Sequence, residues 1–451
     1  MKNISVLFYH RRVRTGLLLC FLCPLLLYGQ NTLSTLGDMH SVSKGETWES
    51  IAADLGVSVP ELQAANPDVS GKKLKKGSLL IIPKAAPDTT KLTPPVEKVE
   101  EAPARTSISD LKVGVLLPFS DVKMVEFYRG LLMAADSVRR SGVNLDIHAW
   151  DCGTKVAHID SLLPGLSGLD VIIGPVSATQ IPAVAEVCRE QGTRLVLPFW
   201  SGQALQNYPL AYNATAPNPV VFNAAVKKLK SYYAAENYVI VHSGTPDNKG
   251  KLFTEALTQS LTQHASPPRV LELEGDDFAY ESAFNQFRNN RILIDDSSIR
   301  SLNILLAHLK DFRQKHSNYR LSLIGYPEWQ DETGRLLGDF YSFDTYIVSP
   351  YYYNVLDDRI KRFQRAYEKS FRTPIAEGNP RSAALGFDLG LYFLGGISSL
   401  GDTFEQKQGS LSQEPYQNWY QFERTASGMS FSNNFVQFIH FTSENKIEII
   451  R

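Results

Sequence analysis

The sequence predicts an α/β protein in which a small βααβ module precedes two lobes, each built on a doubly wound parallel sheet. Short apolar runs alternate with amphipathic stretches of helical length through most of the chain, a pattern typical of βαβ units. After Ala216 and Pro217 the alternation starts again, so we expect a second sheet. Near the N-terminus, a strand, two helices and a strand are expected within about 45 residues.

The composition is that of an ordinary globular protein, with 43% hydrophobic and 21% charged residues among 451. It excludes a disordered, a collagen-like and a multi-span membrane chain. The 46 Lys and Arg residues against 47 Asp and Glu leave a net charge of -1. Nucleic acid is therefore not expected as a partner, because phosphate binding needs a concentrated basic face.

Residues 1–30 have the layout of an export signal peptide. An apolar run at 16–28 is too short to span a membrane comfortably, and Gly29 is a small residue near a plausible cleavage point. We expect cleavage; an uncleaved anchor is the alternative. Four basic residues precede the apolar run: Lys2, Arg11, Arg12 and Arg14.

The four cysteines predict neither a lipid anchor nor a metal site. Cys20 and Cys23 lie inside the apolar run without small residues before them, so they are interpreted as apolar filler. Cys152 and Cys188 remain in the mature chain, and we place them on opposite edges of a sheet, which argues against a disulfide. The mature chain contains no C-x-x-C, H-E-x-x-H or other recognisable metal-binding spacing, so no cofactor is predicted.

Residues 38–84 predict the βααβ module. A weak alternation at 40–43 indicates a strand, and Thr47 is placed to cap a helix whose apolar residues share one face. Ser58 and Glu61 form a capping-box pattern for a second helix. Residues 79–82 then form a closing strand.

Four motifs run through this module: V-x-x-G-E-T, S-I-A, V-x-x-x-x-L-x-x-x-N-P and G-x-x-L-x-I-P. Together they resemble a LysM domain, with Trp48 standing where that family usually has a smaller aliphatic residue. The resemblance implies that N-acetylglucosamine glycans such as peptidoglycan or chitin bind in a shallow groove between two loops. The structural alternative to glycan contact is a helix cap for Thr47 and a turn former for Asn66. The loops carry Gly45, Glu46, Thr47, Asn66, Pro67 and Asp68.

Residues 85–108 contain four prolines and mixed charges, which predict an extended linker. Residues 109–451 then predict the two lobes. The expected strands are 113–117, 144–150, 171–173, 194–197, 238–242, 269–273 and 320–324. The expected helices are 122–141, 155–165, 178–191, 220–235, 249–264, 280–288, 302–306 and 309–316.

Several motifs of this region, in their order and spacing, look like those of type 1 periplasmic binding proteins, which include branched-chain amino-acid receptors. They are VGVLLPFS, RGLLMAAD, a strand ending in WD, VIIGPVSAT, LVLPFWS and GFDLGLYFL. The resemblance implies three crossings between lobes, near 213–219, 348–353 and 420–428. Lobe one is then about 109–217 and 350–425, and lobe two about 218–349 and 426–451.

A ligand of such a fold is expected between the lobes, where the strands end. Ser177 and Thr179 begin a helix whose free N–H groups suit a carboxylate, although N-capping by Ser177 is an equal alternative. The resemblance places Ser177, Phe199 and Ser201 where amino-acid receptors hold their ligand. Phe199 is bulkier than usual there, and Lys249 stands where the family often has Tyr.

Tyr351 belongs to an aromatic group at the second crossing. It is expected either to stack on a ligand or to pack the hinge.

No catalytic motif accompanies these features: there is no G-x-S-x-G elbow and no S-x-x-K set matching a penicillin-binding enzyme, and the stretch 244–251 departs from a phosphate loop. We therefore expect an exported, wall-associated binding protein of a bacterial periplasm or cell envelope, and not an enzyme. Its partners are peptidoglycan glycan, a small ligand in the cleft and, for transport, an ABC permease. The alternative is a regulatory protein that contacts a cell-wall enzyme, similar to outer-membrane activators of peptidoglycan synthases.

Overall fold

The computed structural model describes residues 39–42, 46–55, 59–64, 66, 74, 79–81, 106–199, 205, 208–262, 267–425 and 430–451. The predicted export signal and most of the predicted linker lie outside these residues. Two units compose the chain, Met1–Glu100 and Glu101–Arg451.

The first unit has the predicted βααβ order. Strands β1 (Met39–Ser41) and β2 (Leu79–Ile81) pair antiparallel, and helices α1 (Trp48–Leu55) and α2 (Val59–Ala64) lie between them in the chain. Trp48 is buried in the small core of this unit, which explains why a large apolar residue is stable there. The other core side chains are Val42, Ile51, Ala52, Leu62 and Leu80.

The second unit contains two seven-stranded sheets, which confirms the predicted two-lobed α/β fold. The lobe-one sheet has the order β13-β14-β7-β6-β5-β3-β4. Its strands are β3 (Asp110–Leu117), β4 (Asn144–Asp151), β5 (Val171–Ile173), β6 (Arg194–Leu197), β7 (Ala211–Asn213), β13 (Phe422–Arg424) and β14 (Phe431–Asn433). All neighbours from β4 to β14 are parallel, and only β13 is antiparallel.

The lobe-two sheet repeats this arrangement in the order β16-β15-β12-β11-β10-β8-β9. Its strands are β8 (Asn237–His242), β9 (Arg269–Glu272), β10 (Asn289–Ile294), β11 (Arg320–Gly325), β12 (Thr345–Ser349), β15 (Gln437–Phe441) and β16 (Ile447–Ile450). Five strands are parallel, whereas β15 and β16 are antiparallel to their neighbours.

Helices cover both sheets. In lobe one they are α3 (Val122–Arg140), α4 (Val156–Asp160), α5 (Ile181–Gln191), α11 (Asp358–Phe371), α12 (Ser382–Gly390), α13 (Gly396–Leu400) and α14 (Phe404–Lys407). In lobe two they are α6 (Asn218–Tyr233), α7 (Asn248–Leu261), α8 (Asp277–Ala283), α9 (Ile299–Lys315) and α10 (Thr333–Ser342). A π-helical turn, Leu391–Gly395, joins α12 to α13.

The segment Ser382–Ser410 is long and apolar enough to cross a membrane by length and composition. However, 78% of its most apolar window is buried inside the unit, as expected of a core helix.

Two crossings between lobes fall where the sequence predicts them, and the third does not. The chain passes from β7 to α6 and later leaves β12 at Ser349. The third crossing, predicted near 420–428, follows β14 instead, because β14 pairs with β7 in lobe one. Residues 430–433 therefore belong to lobe one, in contrast to the predicted boundary at 426.

Three predicted elements also differ. The helix expected at 178–191 begins at Ile181, after a turn closed by bonds from the N–H groups of Gln180 and Ile181 to the Ser177 carbonyl. Residues expected as two short helices form the single helix α9. The strand β10, central in lobe two, was not predicted because it opens with the polar residues Asn289, Asn290 and Arg291.

Candidate functional site

In the first unit, Thr47 caps helix α1. Its N–H donates to the Ser50 hydroxyl at 2.9 Å, and the Ser50 N–H donates to the Thr47 hydroxyl at 3.3 Å. This reciprocal pair is a capping box. The Thr47 hydroxyl and the backbone N–H of Glu49 itself also lower the pKa of the exposed Glu49 carboxyl. Thr47 therefore has the structural role that was one of its two predicted alternatives.

Asn66 is a buried part of the module. Its side-chain amide donates to the Leu62 carbonyl at 2.8 Å, and only 7% of the residue is exposed. Asn66 thus bonds back to helix α2, just beyond the end of that helix at Ala64. Glu46 is half-buried next to Thr47. The other predicted glycan-loop residues, Gly45, Pro67 and Asp68, lie outside the described residues.

In the second unit, the lobe-one side of the cleft carries two neighbouring hydroxyl groups. The Ser177 and Thr179 hydroxyls are 3.0 Å apart, and the Ser177 hydroxyl also donates to the Thr154 carbonyl at 3.3 Å. Neither caps helix α5, whose first turn has no side-chain cap. Thr179 is exposed and Ser177 half-buried, so both hydroxyls remain accessible to a ligand.

Gly174 explains how this turn reaches the sheet edge. Its backbone φ is +97°, and a Cβ atom there would lie 2.0 Å from the Leu116 carbonyl oxygen. Only glycine fits, because a side chain would be both strained and in collision. The Gly174 residue thus lets the Ser177 turn follow β5 directly.

Asp151, at the end of β4, organises the adjoining loops. Its carboxylate accepts hydrogen bonds from the backbone N–H groups of Phe119 at 3.2 Å and Gly153 at 3.1 Å. The residue itself is exposed at the carboxyl end of the sheet. It was recognised in the sequence only as part of the WD motif.

Phe199 does not present a free ring to the cleft. The ring packs edge-on against Phe127 with centroids 5.2 Å apart and joins the lobe-one core. Its bulk is therefore used for packing, which accounts for the departure from the smaller residues of amino-acid receptors. Ser201 lies outside the described residues.

The lobe-two side of the cleft carries three aspartates whose oxygens are all bonded within the protein. Asp247 accepts from the Gly250 N–H at 2.6 Å and from the Ser297 hydroxyl at 2.5 Å. Asp295 binds the His242 ring at 2.8 Å and the Ser243 N–H at 2.8 Å. Because these bonds hold the loops, the two carboxylates are committed to structure.

Asp296 completes this set. Its carboxylate accepts from the Ser298 N–H at 2.9 Å and from the Ser301 hydroxyl at 2.7 Å, at the start of helix α9. Asp295 and Asp296 are 4% and 7% exposed, so neither is open to the ammonium group of a ligand.

Close packing seals the same edge of lobe two. A Cβ atom on Gly250 would lie 1.8 Å from the Asp295 carbonyl oxygen, so helix α7 packs directly against the backbone. The fully buried Trp329 covers Gly325, and its indole N–H donates to the Ser297 carbonyl at 3.0 Å. The three aspartate carboxylates and the Trp329 indole at this edge therefore all have partners within lobe two.

Lys249 forms an ion pair with Glu328, and the two side chains are 36% and 37% exposed. Partial burial lowers the pKa of Lys249, while the nearby Asp247 carboxylate acts in the opposite direction. Both partners belong to lobe two. The predicted ligand-binding lysine thus already has a carboxylate partner.

Tyr351 lies at the second crossing, where it forms an isolated antiparallel bridge with Asn418. Burial, and then the negative charge of Asp331, raise the pKa of its hydroxyl well above the usual value. Next to it, the Asn379 side chain donates to the Asp331 carboxylate at 2.8 Å, a contact from lobe one to lobe two. These contacts favour the hinge-packing alternative for Tyr351.

Asn433 links the crossings and was not predicted. Its side-chain nitrogen donates to the Ala214 carbonyl at 3.1 Å, and its oxygen accepts from the N–H groups of Gln421 and Phe435. A buried asparagine carries no distinguishing pattern in sequence, because its partners come from distant segments.

The cysteines and potential metal ligands show no reactive arrangement. Cys152 and Cys188 are both buried in one apolar cluster, on the same side of the sheet, and are not bonded to each other. Burial raises the pKa of Cys152 to about 11 and that of Cys188 to about 12. Among the described residues, no group of three His, Cys, Asp or Glu side chains is arranged to hold a metal ion.

Comparison with known proteins bears on each unit separately. The LysM domain family matches residues 40–83. No curated protein matches the chain.

Solved structures match the second unit. A branched-chain amino acid ABC transporter from Rhodospirillum rubrum is 12% identical, with 76% of this chain and 100% of that chain covered and a TM-score of 0.54. An ABC transporter substrate-binding protein from Desulfitobacterium hafniense, in complex with Leu, is 15% identical, with coverages of 76% and 100% and a TM-score of 0.46. At such identities only the fold is established. Residues 40–83 are thus a LysM domain, and the larger unit has the fold of type 1 periplasmic binding proteins.

Proposed function

We propose that this chain is an exported bacterial envelope protein that binds peptidoglycan glycan through its LysM domain. The match over residues 40–83 is the observation that carries the proposal. Of its predicted contact residues, Thr47 caps helix α1 and Asn66 bonds back to helix α2. Turn backbone groups and short polar side chains are suited to N-acetyl amides and sugar hydroxyls.

Sedimentation with purified peptidoglycan tests this function. The mature chain is expected to sediment with the glycan, and a chain that begins at residue 106 is expected to stay in solution. A competing N-acetylglucosamine oligomer should release the mature chain. Equal sedimentation of the two chains would contradict the proposal.

For the two-lobed unit, we propose a small ligand bound against the lobe-one side of the cleft. The accessible hydroxyls of Ser177 and Thr179 support this, because they follow the carboxyl end of β5, where a ligand of the fold is expected. No catalytic step is proposed. The high pKa values of both buried thiols are opposite to what a nucleophilic cysteine needs.

Thermal unfolding of the mature chain against amino acids, peptides, sugars and wall fragments tests the cleft. A ligand at 100 times its dissociation constant adds about 2.7 kcal/mol to the unfolding free energy. For a domain of this size the midpoint is expected to rise by about 2–4 °C or somewhat less. Replacement of both Ser177 and Thr179 by Ala should abolish that rise without lowering the midpoint of the free protein.

A second candidate function is regulatory, with a cell-wall enzyme as the partner in place of a transported solute and an ABC permease. The bonded aspartates, the Lys249–Glu328 pair and the Asn379–Asp331 contact favour it, because they use up groups that a solute would need. If no compound class shifts the unfolding midpoint, this candidate replaces the cleft ligand. A shift with one class would exclude it as the sole function.

A further inference from the structure

A groove of about 500 Å³ lies on the outer face of lobe one, between helices α3 and α11. On α3 its lining runs from Leu132 to Arg140, and on α11 from Arg362 to Phe371. At 1.5 Å per residue these walls are about 12 and 14 Å long. They match slightly more than two turns of an α-helix laid between them.

The floor of the groove is aromatic. The Phe363 and Tyr416 rings stack with centroids 4.5 Å apart, and Phe387, on helix α12, meets both of them. Met133 and Leu132 extend this apolar floor along α3 and are half-buried. Phe363 and Phe387 are only 2% and 9% exposed, so a partner side chain would meet mainly the half-buried Tyr416, Leu132 and Met133.

Small residues keep the groove open at its centre. Ser137 lies on the α3 side, and Ala366 and Ser370 lie on the α11 side. Ala366 and Ser370 are exposed. A partner backbone can therefore approach α11 closely there.

The rim is cationic. Helix α11 carries five basic side chains against two acidic ones, Asp358 and Glu368. Arg362, at the groove, is exposed and forms no ion pair in the described part of the chain. The basic residues of α11 are Arg359, Lys361, Arg362, Arg365 and Lys369.

Across the groove, Arg140 lines the α3 rim. It is 68% exposed and bonds to Asp136 at 2.6 Å, an exposed pair that water weakens. The lining includes one carboxylate, that of Asp136. Its negative charge is exceeded by the positive charges of Arg140, Arg362 and the neighbouring basic side chains of α11. The local positive charge contrasts with a net charge of -1 for the whole chain.

We propose that this groove binds an acidic, amphipathic helix of a partner protein. The two helical walls, the aromatic floor and the small central residues fit the apolar face of a helix. The arginines on opposite rims fit acidic residues that flank that face. The surface uses no residue of the LysM domain or of the cleft, so the proposal is independent of both proposed functions.

Titration of a labelled synthetic helical peptide tests the proposal on the mature full chain. The probe has Leu at positions 1, 4 and 5 of each seven-residue repeat and Glu elsewhere, and a companion peptide has Lys in place of Glu. We expect saturable, salt-sensitive binding of the acidic peptide, measured by fluorescence anisotropy. Binding should weaken at least about tenfold in the Arg140→Glu, Arg362→Glu double variant.

Two further variants separate shape, charge and folding. Ala366→Trp fills the exposed centre without changing charge and should weaken the acidic peptide similarly. Arg300→Glu reverses an exposed arginine on helix α9 of lobe two and should leave binding unchanged. Unfolding midpoints of all variants should stay at the wild-type value.

Several outcomes would overturn the proposal. These are no saturable binding at millimolar acidic peptide, equal binding of the lysine peptide, or unchanged affinity in both groove variants. Binding of vesicles that contain phosphatidylglycerol is measured as the last comparison. Binding of vesicles through the same arginines, without binding of the peptide, would assign the groove to a lipid surface instead.

Discussion

In lobe two the aspartates at the strand ends each accept hydrogen bonds from nearby backbone and side-chain groups, whereas in lobe one Ser177 and Thr179 bond mainly to each other. Lobe two is also sealed by Trp329 and by the contact of Gly250 with the backbone. The same strand order therefore supports a closed surface in one lobe and an accessible one in the other. If the proposed cleft ligand binds, we expect its specific side-chain contacts to come from lobe one.

The opposite ends of the two sheets also differ. Arg194 of lobe one is held by both oxygens of Glu405 at 2.7 and 2.9 Å, in a nearly buried pair. Arg291 of lobe two pairs with Glu236 and lies 3.5 Å from the Tyr233 ring centroid and 4.4 Å from that of Tyr346. Arg194 also has a ring neighbour, but the Phe404 centroid is 5.7 Å from its guanidinium carbon, farther than either tyrosine centroid is from Arg291.

The largest expected effect comes from removing these carboxylates. Glu405→Ala is expected to lower the free energy of unfolding by about 3–5 kcal/mol, because it leaves the nearly buried Arg194 charge without a carboxylate, with only the Gly401 carbonyl and the distant Phe404 ring as partners. Glu236→Ala should cost about 1.5–3 kcal/mol, since the aromatic rings still stabilise Arg291. Urea unfolding of both variants measures the difference. An equal cost in both lobes would show that the rings contribute nothing.

A pH titration compares the buried Asp388 with the half-buried Asp344. In lobe one, burial raises the pKa of Asp388 to about 7. Three backbone N–H groups donate to its carboxylate at 2.8 Å and act to lower the pKa, but burial outweighs them. The folded state then binds more protons than the unfolded state, so this group makes the unfolding free energy fall as pH rises from about 4 to 7. The expected fall is of the order of 4 kcal/mol.

Asp344 of lobe two should behave oppositely. Burial acts to raise its pKa, but hydrogen bonds from His440 at 2.7 Å and Ser322 at 2.8 Å outweigh burial and lower the pKa. Its contribution is present above its unfolded pKa and is lost as pH falls through the lower folded value. Asp388→Asn and Asp344→Asn should each remove one of the two slopes in unfolding curves recorded across pH.

The sealed side of lobe two is tested by Gly250→Ala. The added methyl group meets the Asp295 carbonyl, so we expect a loss of about 1–3 kcal/mol of unfolding free energy. Gly338→Ala is the matched control, because this exposed helical position has open space and should gain about 0.4–1 kcal/mol. An unchanged free energy of unfolding in the Gly250→Ala variant would mean that helix α7 can move away from the Asp295 backbone.

The smallest effect on stability is expected in the accessible side of lobe one. Ser177→Ala with Thr179→Ala should change the unfolding free energy by less than about 0.5 kcal/mol, since both hydroxyls are at the surface. The same double variant should lose the thermal shift that a cleft ligand gives. If stability falls strongly instead, the two hydroxyls are structural and lobe one is as closed as lobe two.

The sequence by itself determined the elements whose signals are local. The apolar strands 171–173 and 194–197 and the long helix after β3 follow from periodicity, and the LysM motifs lie within one short segment. Thr47 also showed its capping role, because its partner Ser50 is three residues away.

Only the tertiary structure decided the features that depend on distant partners. Strand β10 was missed because Arg291 looks like a surface residue until Glu236, Tyr233 and Tyr346 surround it. Lys249 looked available for a ligand until Glu328 met it, and the lobe of residues 430–433 was decided by pairing with β7. Local sequence fixes which segments are apolar and periodic. Burial and pairing of charges depend on chain segments that the fold alone brings together.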